Sequence, residues 1–247
     1  METQSDLLEA AKQYVQENSL SCSLYISAGT HLSRMAVTDD QKTIRLSQEM
    51  PTEDFFKGKV DLLNLRFLKS FLIVSPKNLS LVPQGLYNED FSIGEDAKSE
   101  APYSSVIDKQ NCVANFEVSE RQRPWLSLLK GSELIPTSKL MINFLTDLKV
   151  KYKSVLGLNF YKKHFEVVYL EDSNLKFYGQ FPSTTADEFN FFLLTLFEKL
   201  ELNPALVQFY LWGYIKKADE NFNRLAKYSR NLNLLDSNFL LEAIACE

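Results

Sequence analysis

The feature that most constrains this chain is an internal repeat: one order of elements occurs twice within 247 residues. In each half, three short segments with the alternation of strands precede a helical segment and a further apolar strand. In the first half the strands are Ser23-Leu24-Tyr25-Ile26, Met35-Ala36-Val37 and Thr43-Ile44-Arg45-Leu46. A helix is signalled at Pro51-Thr52-Glu53-Asp54 and extends to Leu65, and Ser70-Phe71-Leu72-Ile73-Val74 completes the set. In the second half the strands are Val155–Asn159, Phe165–Leu170 and Leu175–Tyr178. Thr185 and Glu188 form a capping box before a Phe-rich helix, Asn203-Pro204 stops it, and Leu206–Trp212 is the closing strand. Adding 132 to a first-half position carries Leu24 onto Leu156, Ile26 onto Leu158, Met35 onto Val167 and Thr52 onto Thr184. The expected class is α/β, with two domains that each open with three antiparallel strands, a helix and a further strand. A single α+β domain with coincidental hairpins is the alternative.

The rest of the chain is placed around this repeat. Residues 6–17 read as an amphipathic helix with Asp6 as cap and Leu7, Ala11, Tyr14 and Val15 on one face. The stretch 88–110, with Glu89, Asp90, Glu95, Asp96 and Glu100, reads as an acidic surface loop. Asn111–Val118 alternates like a strand, helices fit 119–129 and 137–149, and Asp219 can cap a last long helix carrying Phe222, Leu225 and Ala226. The expected division is an N-terminal helix at 1–19, a first domain at 20–143 and a second at 144–247.

Composition excludes several classes. With 45% apolar residues, 18 Phe and 11 Tyr, the chain can build a core and is not globally disordered. The net charge is −5 and both halves are net negative, which argues against a nucleic-acid grip built on phosphate contacts. No apolar run approaches the roughly 18 residues of a spanning helix, so no membrane insertion is expected. The start, Met1-Glu2-Thr3-Gln4-Ser5-Asp6, has neither the basic nor the apolar region of a signal peptide. Cys22, Cys112 and Cys246 are odd in number and far apart, which fits neither a disulfide framework nor a zinc site. Asn78-Leu79-Ser80 matches a glycosylation sequon without a secretory context. The expected location is cytoplasmic.

Three antiparallel strands, a helix and a further strand begin a ribonuclease-H-like domain, and two such domains in tandem, with a cleft between them, make the actin/hexokinase/Hsp70-type fold, which is the architecture expected here. A more specific resemblance rests on Leu65-Arg66-Phe67-Leu68-Lys69-Ser70-Phe71-Leu72-Ile73-Val74, followed by Leu81-Val82-Pro83-Gln84-Gly85-Leu86-Tyr87-Asn88-Glu89. His164-Phe165-Glu166-Val167-Val168-Tyr169, Phe189-Asn190-Phe191-Phe192-Leu193-Leu194 and Leu211-Trp212-Gly213-Tyr214-Ile215 add to it. From about residue 20 onward the chain resembles the bacterial domain-of-unknown-function family 3822. The resemblance implies an actin-like ATPase fold and supplies no assigned activity, so chemistry has to be read residue by residue.

Active members of that superfamily hold metal and phosphate with two hairpin turns of the pattern apolar-Asp-x-Gly-Thr/Ser. The Asp positions Mg²⁺, commonly through water, and the Gly lets backbone N–H groups approach phosphate oxygens. The first turn here reads Ile26-Ser27-Ala28-Gly29-Thr30, so Gly29 and Thr30 match while Ser27 stands in the Asp position. The second reads Leu158-Asn159-Phe160-Tyr161, with Asn159 for the Asp and Tyr161 for the Gly. The nucleoside-side motif, apolar-x-Gly-Gly at a late strand end, reads Leu211-Trp212-Gly213-Tyr214, with Tyr214 for the second Gly. Lacking the two carboxylates, the site lacks the charge that would hold a metal between protein and phosphates. The expectation is a degenerate, non-catalytic domain with no cofactor and no metal, acting through an unidentified protein partner; homo-oligomerisation stays open. Gly29 N–H and the Thr30 hydroxyl could still accept a small anion.

Other candidates are weaker. His31 and His164 both sit in the opening hairpins without a set of carboxylates that would complete a metal site. There is no Gly-x-Ser-x-Gly elbow and no Cys–His arrangement. Asp39-Asp40 and Glu171-Asp172 read as turn acids. Lys149, Lys151 and Lys153, with Lys162-Lys163 and Lys216-Lys217, read either as a patch for an acidic partner or as solubilising surface. Trp212 and Tyr214 end a strand, where packing is the plainer role for Trp212. The competing functional class is a divergent kinase or ATPase whose carboxylates come from elsewhere, for example Asp108, Glu117 or Asp147.

Overall fold

The computed structural model describes residues 4–29, 32–88, 103–148, 152–235 and 243–244. It divides into two compact units, Met1–Lys139 and Leu140–Glu247. In the first, helix α1 (Gln4–Asn18) leads into strands β1 (Ser23–Ser27), β2 (Leu32–Thr38) and β3 (Ile44–Pro51), helix α2 (Thr52–Phe56) and strand β4 (Lys69–Val74). Strands β5 (Pro76–Pro83), β6 (Tyr103–Ile107) and β7 (Cys112–Val118), helix α3 (Arg123–Leu128) and strand β8 (Glu133–Pro136) follow, and helix α4 (Thr137–Asp147) carries the chain onward. The second unit contains β9 (Ser154–Phe160), β10 (His164–Glu171), β11 (Asn174–Pro182), α5 (Ala186–Lys199), β12 (Val207–Gly213), α6 (Glu220–Leu225) and β13 (Leu232–Leu234).

The repeat read from the sequence is a repeat of topology. One sheet has the order β3-β2-β1-β4-β8 and the other β11-β10-β9-β12-β13. In each, three antiparallel strands are extended by two parallel ones. The 132-residue offset holds at the level of register. Ser27 pairs with Arg34 across β1 and β2, and Asn159 pairs with Glu166 across β9 and β10. Leu24, Ile26 and Met35 are buried, as are their counterparts Leu156, Leu158 and Val167. Shared phase matters because a one-residue slip would turn every apolar side chain of a strand outward.

The units differ in what covers the sheet. In the second, α5 is a full helix: Thr185 caps it by accepting the Glu188 N–H at 3.1 Å, and Phe189, Leu193, Leu196 and Phe197 are buried. Glu188 returns to the N–H and hydroxyl of Thr184, one residue ahead of the expected capping-box partner. Phe189 packs on Phe160 and Phe165, which ties the helix to the first hairpin of its sheet. In the first unit the helix expected from Thr52 to Leu65 ends at Phe56. Gly58, at φ +69°, takes a left-handed conformation there, and a 3-10 turn occupies Asp61–Asn64. Helix α1 docks on its own chain: Val15 is buried and the Arg45 guanidinium lies 5.0 Å from the Tyr14 ring centroid. Asp6 lies in the first turn of α1 rather than capping it.

The remaining departures have local causes. Within the stretch read as an acidic loop, 103–107 form β6, which with β5 and β7 builds a separate three-stranded sheet in the order β5-β7-β6. Residues 89–102 of that loop lie outside the described residues. The helix expected at 119–129 is confined to Arg123–Leu128, where Pro124 can occupy the first turn, and the last helix spans only Glu220–Leu225. Among the described residues no helix is long and apolar enough to cross a membrane.

Candidate functional site

In both strand-end turns, described backbone and side-chain groups bond to one another. In the first turn, Gly29 N–H donates to Ser33 Oγ at 3.0 Å, and the Gly29 carbonyl accepts from Thr52 Oγ1 at 3.2 Å. Ser33 and Thr52 hydroxyls are themselves 2.8 Å apart. The Ala28 N–H is taken by the Ile73 carbonyl, and the Ala28 carbonyl accepts from Gln122 Nε2. A side chain at Gly29 would run into the Leu32 carbonyl, so the glycine serves a close backbone approach within the turn. Ser27 is partly buried at the end of β1; Thr30 and His31 lie outside the described residues.

The second turn is built around a buried carboxyl that spacing and motif alone do not single out. Glu166 sits within the apolar run of β10 and is 0% exposed. Its register neighbours are Asn159 on β9 and Gln180 on β11, which places three polar side chains in one row across the sheet. Glu166 Oε2 accepts from Asn159 Nδ2 at 2.9 Å and from the Tyr161 hydroxyl at 2.8 Å. Glu166 Oε1 accepts from the Tyr178 hydroxyl at 3.1 Å and from Gln180 Nε2 at 3.0 Å. Asn159 Nδ2 also donates to Tyr161 Oη at 2.7 Å, and Gln180 Nε2 to Tyr178 Oη at 2.9 Å. Four donors therefore surround one carboxyl, which satisfies a group that would otherwise be costly to bury. Burial, and then the neighbouring Glu166 charge, hold the Tyr178 phenol far above its ordinary range, so it remains a donor. The corresponding row of the first unit is Ser27, Arg34 and Glu49, where Arg34 Nη2 meets Glu49 Oε2 at 2.9 Å.

His164 stacks on Tyr161 with ring centroids 4.3 Å apart. Burial pushes its pKa below the ordinary value and the Glu166 charge works the other way. A titration of the ring by NMR should therefore give a midpoint below about 6.5. Glu166→Gln, by removing the opposing charge, should move it lower still; an upward movement would contradict this assignment of causes. Because the folded-state value is depressed, the associated stability is present above the unfolded value and is lost as pH falls through the folded one.

The end of β12 joins this hairpin. Gly213 has φ +83°, and a Cβ there would meet the Phe160 carbonyl and stand 2.7 Å from Asn159 Oδ1. The Tyr214 N–H donates to the Phe160 carbonyl at 2.7 Å, and the Ile215 N–H to the Gly213 carbonyl at 2.8 Å. Tyr214 is 68% exposed, with Lys162 Nζ 5.5 Å from its ring centroid. Trp212 is buried, and its ring fills the space above Gly157 beside Leu145. The structure thus brings Asn159, Tyr161, Gly213 and Tyr214 together in the second unit, and places Ser27 and Gly29 at the matching turn of the first.

The other sequence candidates resolve into local roles. Asp39 is a turn acid that accepts N–H groups from Gln41 and Thr43 and pairs with Arg45 at 2.6 Å. Glu171 and Asp172 both pair with Lys153, at 3.4 and 3.3 Å. Glu117 accepts from Asn78, Asp108 opens a 3-10 turn and Asp147 ends α4. Cys22 and Cys112 are buried free thiols whose pKa burial raises. Cys246, Lys149 and Lys151 lie outside the described residues. Among the described residues no three of His, Cys, Asp and Glu are grouped so as to hold a metal ion. A signal for the Glu166 cage exists in the sequence, as a single charge in an otherwise apolar strand, Phe165-Glu166-Val167-Val168.

Comparison with known proteins gives the fold. A Bacteroides thetaiotaomicron protein with actin-like ATPase fold and unknown function is similar at 14% identity and a TM-score of 0.78, over 94% of this chain and 98% of that one. The cytoplasmic domain of EpsL, an inner membrane component of the type II secretion system of Vibrio cholerae, gives 14% identity and 0.49, over 91% and 93%. The ethanolamine utilization protein EutJ from Carboxydothermus hydrogenoformans gives 9% and 0.47, over 97% and 98%. The curated proteins yield no match. The profile of a family described as "Protein of unknown function (DUF3822)" matches residues 11–232. The fold is that of the actin-like ATPases.

Proposed function

The chain belongs to the DUF3822 family, and from that premise we propose that it is a pseudo-ATPase: an interaction or scaffold protein on an actin-like ATPase fold that has given up nucleotide chemistry. The observation that carries this reading is the state of Asn159. Its side-chain N–H group is committed to Glu166 and Tyr161, at the position where a metal-positioning Asp is expected, and it carries no charge. The Gly29 N–H is likewise committed, to Ser33. Binding ATP with Mg²⁺ would require breaking these bonds without gaining a carboxylate for the metal.

A hydrolysis assay on the purified, contaminant-controlled protein tests this. The expected result is no turnover above a buffer blank. Turnover that disappears on altering Ser27 or Asn159 would overturn the reading and favour a divergent enzyme.

A further inference from the structure

Four lysines stand on two turns that the fold brings together in the second unit. Lys162 and Lys163 form the tip between β9 and β10, and Lys216 and Lys217 follow the end of β12; all four are exposed. The turns are joined by the Tyr214 N–H to Phe160 carbonyl bond and by Lys162 lying over the Tyr214 ring. Chain reach keeps the Cα atoms of Lys216 and Lys217 within about 11 Å of that of Tyr214. None of the four forms an ion pair with a described residue, whereas Lys12, Lys57, Lys59 and Lys153 do. In a chain of net charge −5, these are four exposed lysines beside an exposed aromatic ring, with the Asp219 carboxylate in the same turn accepting the Lys216 N–H.

A compact anion such as phosphate is held by converging N–H groups. Here the N–H groups of Tyr161, Tyr214, Ile215 and Lys216 are donated to His164 O, Phe160 O, Gly213 O and Asp219 Oδ2. The charge of the four lysines is carried on long, flexible side chains, which fits several anionic groups spread along a chain. The net negative protein repels the dense charge of a nucleic acid more than that of a peptide. We propose that this corner is a docking site for an extended acidic segment of a partner protein. Lys162, Lys163, Lys216 and Lys217 meet its carboxylates, and the Tyr214 ring meets an apolar side chain. The proposal rests on the non-catalytic reading above and supplies the chemistry of its partner.

The probes are a fluorescein-labelled peptide of ten glutamates with a central phenylalanine, its all-glutamate counterpart and a labelled ten-nucleotide single strand, read by anisotropy. The phenylalanine peptide should bind most tightly, more weakly as salt rises. Lys162→Ala/Lys163→Ala and Lys216→Ala/Lys217→Ala should each weaken it about tenfold, and Lys176→Ala/Lys199→Ala should leave it unchanged. Tyr214→Ala should weaken only the phenylalanine peptide. Absence of peptide binding, equal loss in the Lys176/Lys199 control, or tighter binding of the oligonucleotide would overturn the proposal. Added ATP with Mg²⁺ separates the two readings. Tight nucleotide binding overturns the pseudo-ATPase, while failure of both peptide and nucleotide overturns only the docking site.

Discussion

Glu166→Ala should lower the stability of the second unit by about 3–5 kcal/mol, since several buried neutral donors lose their acceptor at about 1–3 kcal/mol each. The substitution leaves the donors of Asn159, Tyr161, Tyr178 and Gln180 facing a cavity, with their desolvation already incurred. Glu166→Gln keeps the volume but turns one acceptor into a donor. It should cost less, about 1–3 kcal/mol, because two of the four donors keep an oxygen. Urea unfolding, with hydrogen exchange to locate the loss on β9, β10 and β11, measures both. A loss below about 1 kcal/mol for the alanine variant would mean that the cage is solvated and does not organise the hairpin.

Gly213→Ala should be the second large effect, about 2–4 kcal/mol. Two causes add: φ +83° costs a residue with a Cβ about 1 kcal/mol, and the new methyl would collide with the Phe160 carbonyl and crowd Asn159. Gly58→Ala separates them. That glycine has φ +69°, and a methyl group there would meet nothing within 4 Å, so only the backbone cost of about 1 kcal/mol is expected. Equal losses at the two positions would show that β12 does not lean on the β9–β10 hairpin.

The cage and the glycine mark the boundary of what is legible in the sequence. The two five-stranded sheets are largely readable because their core strands keep one apolar phase, as at Leu24 and Ile26 or Leu156 and Leu158. Strands with weak phase escape. β8 is four residues and includes Glu133 and Pro136, β13 is three, and β6 contains Ser104 and Ser105 within a polar stretch. Helix α2 is shorter than its sequence suggests because helical propensity continues past Gly58 while the backbone does not. At the site, Ser27, Asn159, Tyr161 and Tyr214 can be named from the resemblance to the superfamily's motifs. Their bonding cannot, because the Glu166 cage draws on positions 159, 161, 178 and 180, which only strand register places side by side. The same holds for Gly29, whose N–H is spoken for by Ser33, in a contact fixed by the turn's closure.

The repeat also clarifies why the two units solve one structural problem in opposite ways. The strand-end row holds an Arg34–Glu49 ion pair in the first unit and a carboxyl ringed by neutral donors in the second. The Arg34–Glu49 pair and the Glu166 cage are each closed within their own unit. For the pseudo-ATPase reading, this leaves neither row with a free carboxylate directed at a metal.

Titration calorimetry of the intact protein with ATP and Mg²⁺ tests that reading most directly. The account predicts no resolvable heat of binding up to millimolar nucleotide, and no change when Asn159→Ala releases the cage. Micromolar binding that requires Mg²⁺ and is lost on altering Ser27 or Asn159 would contradict it.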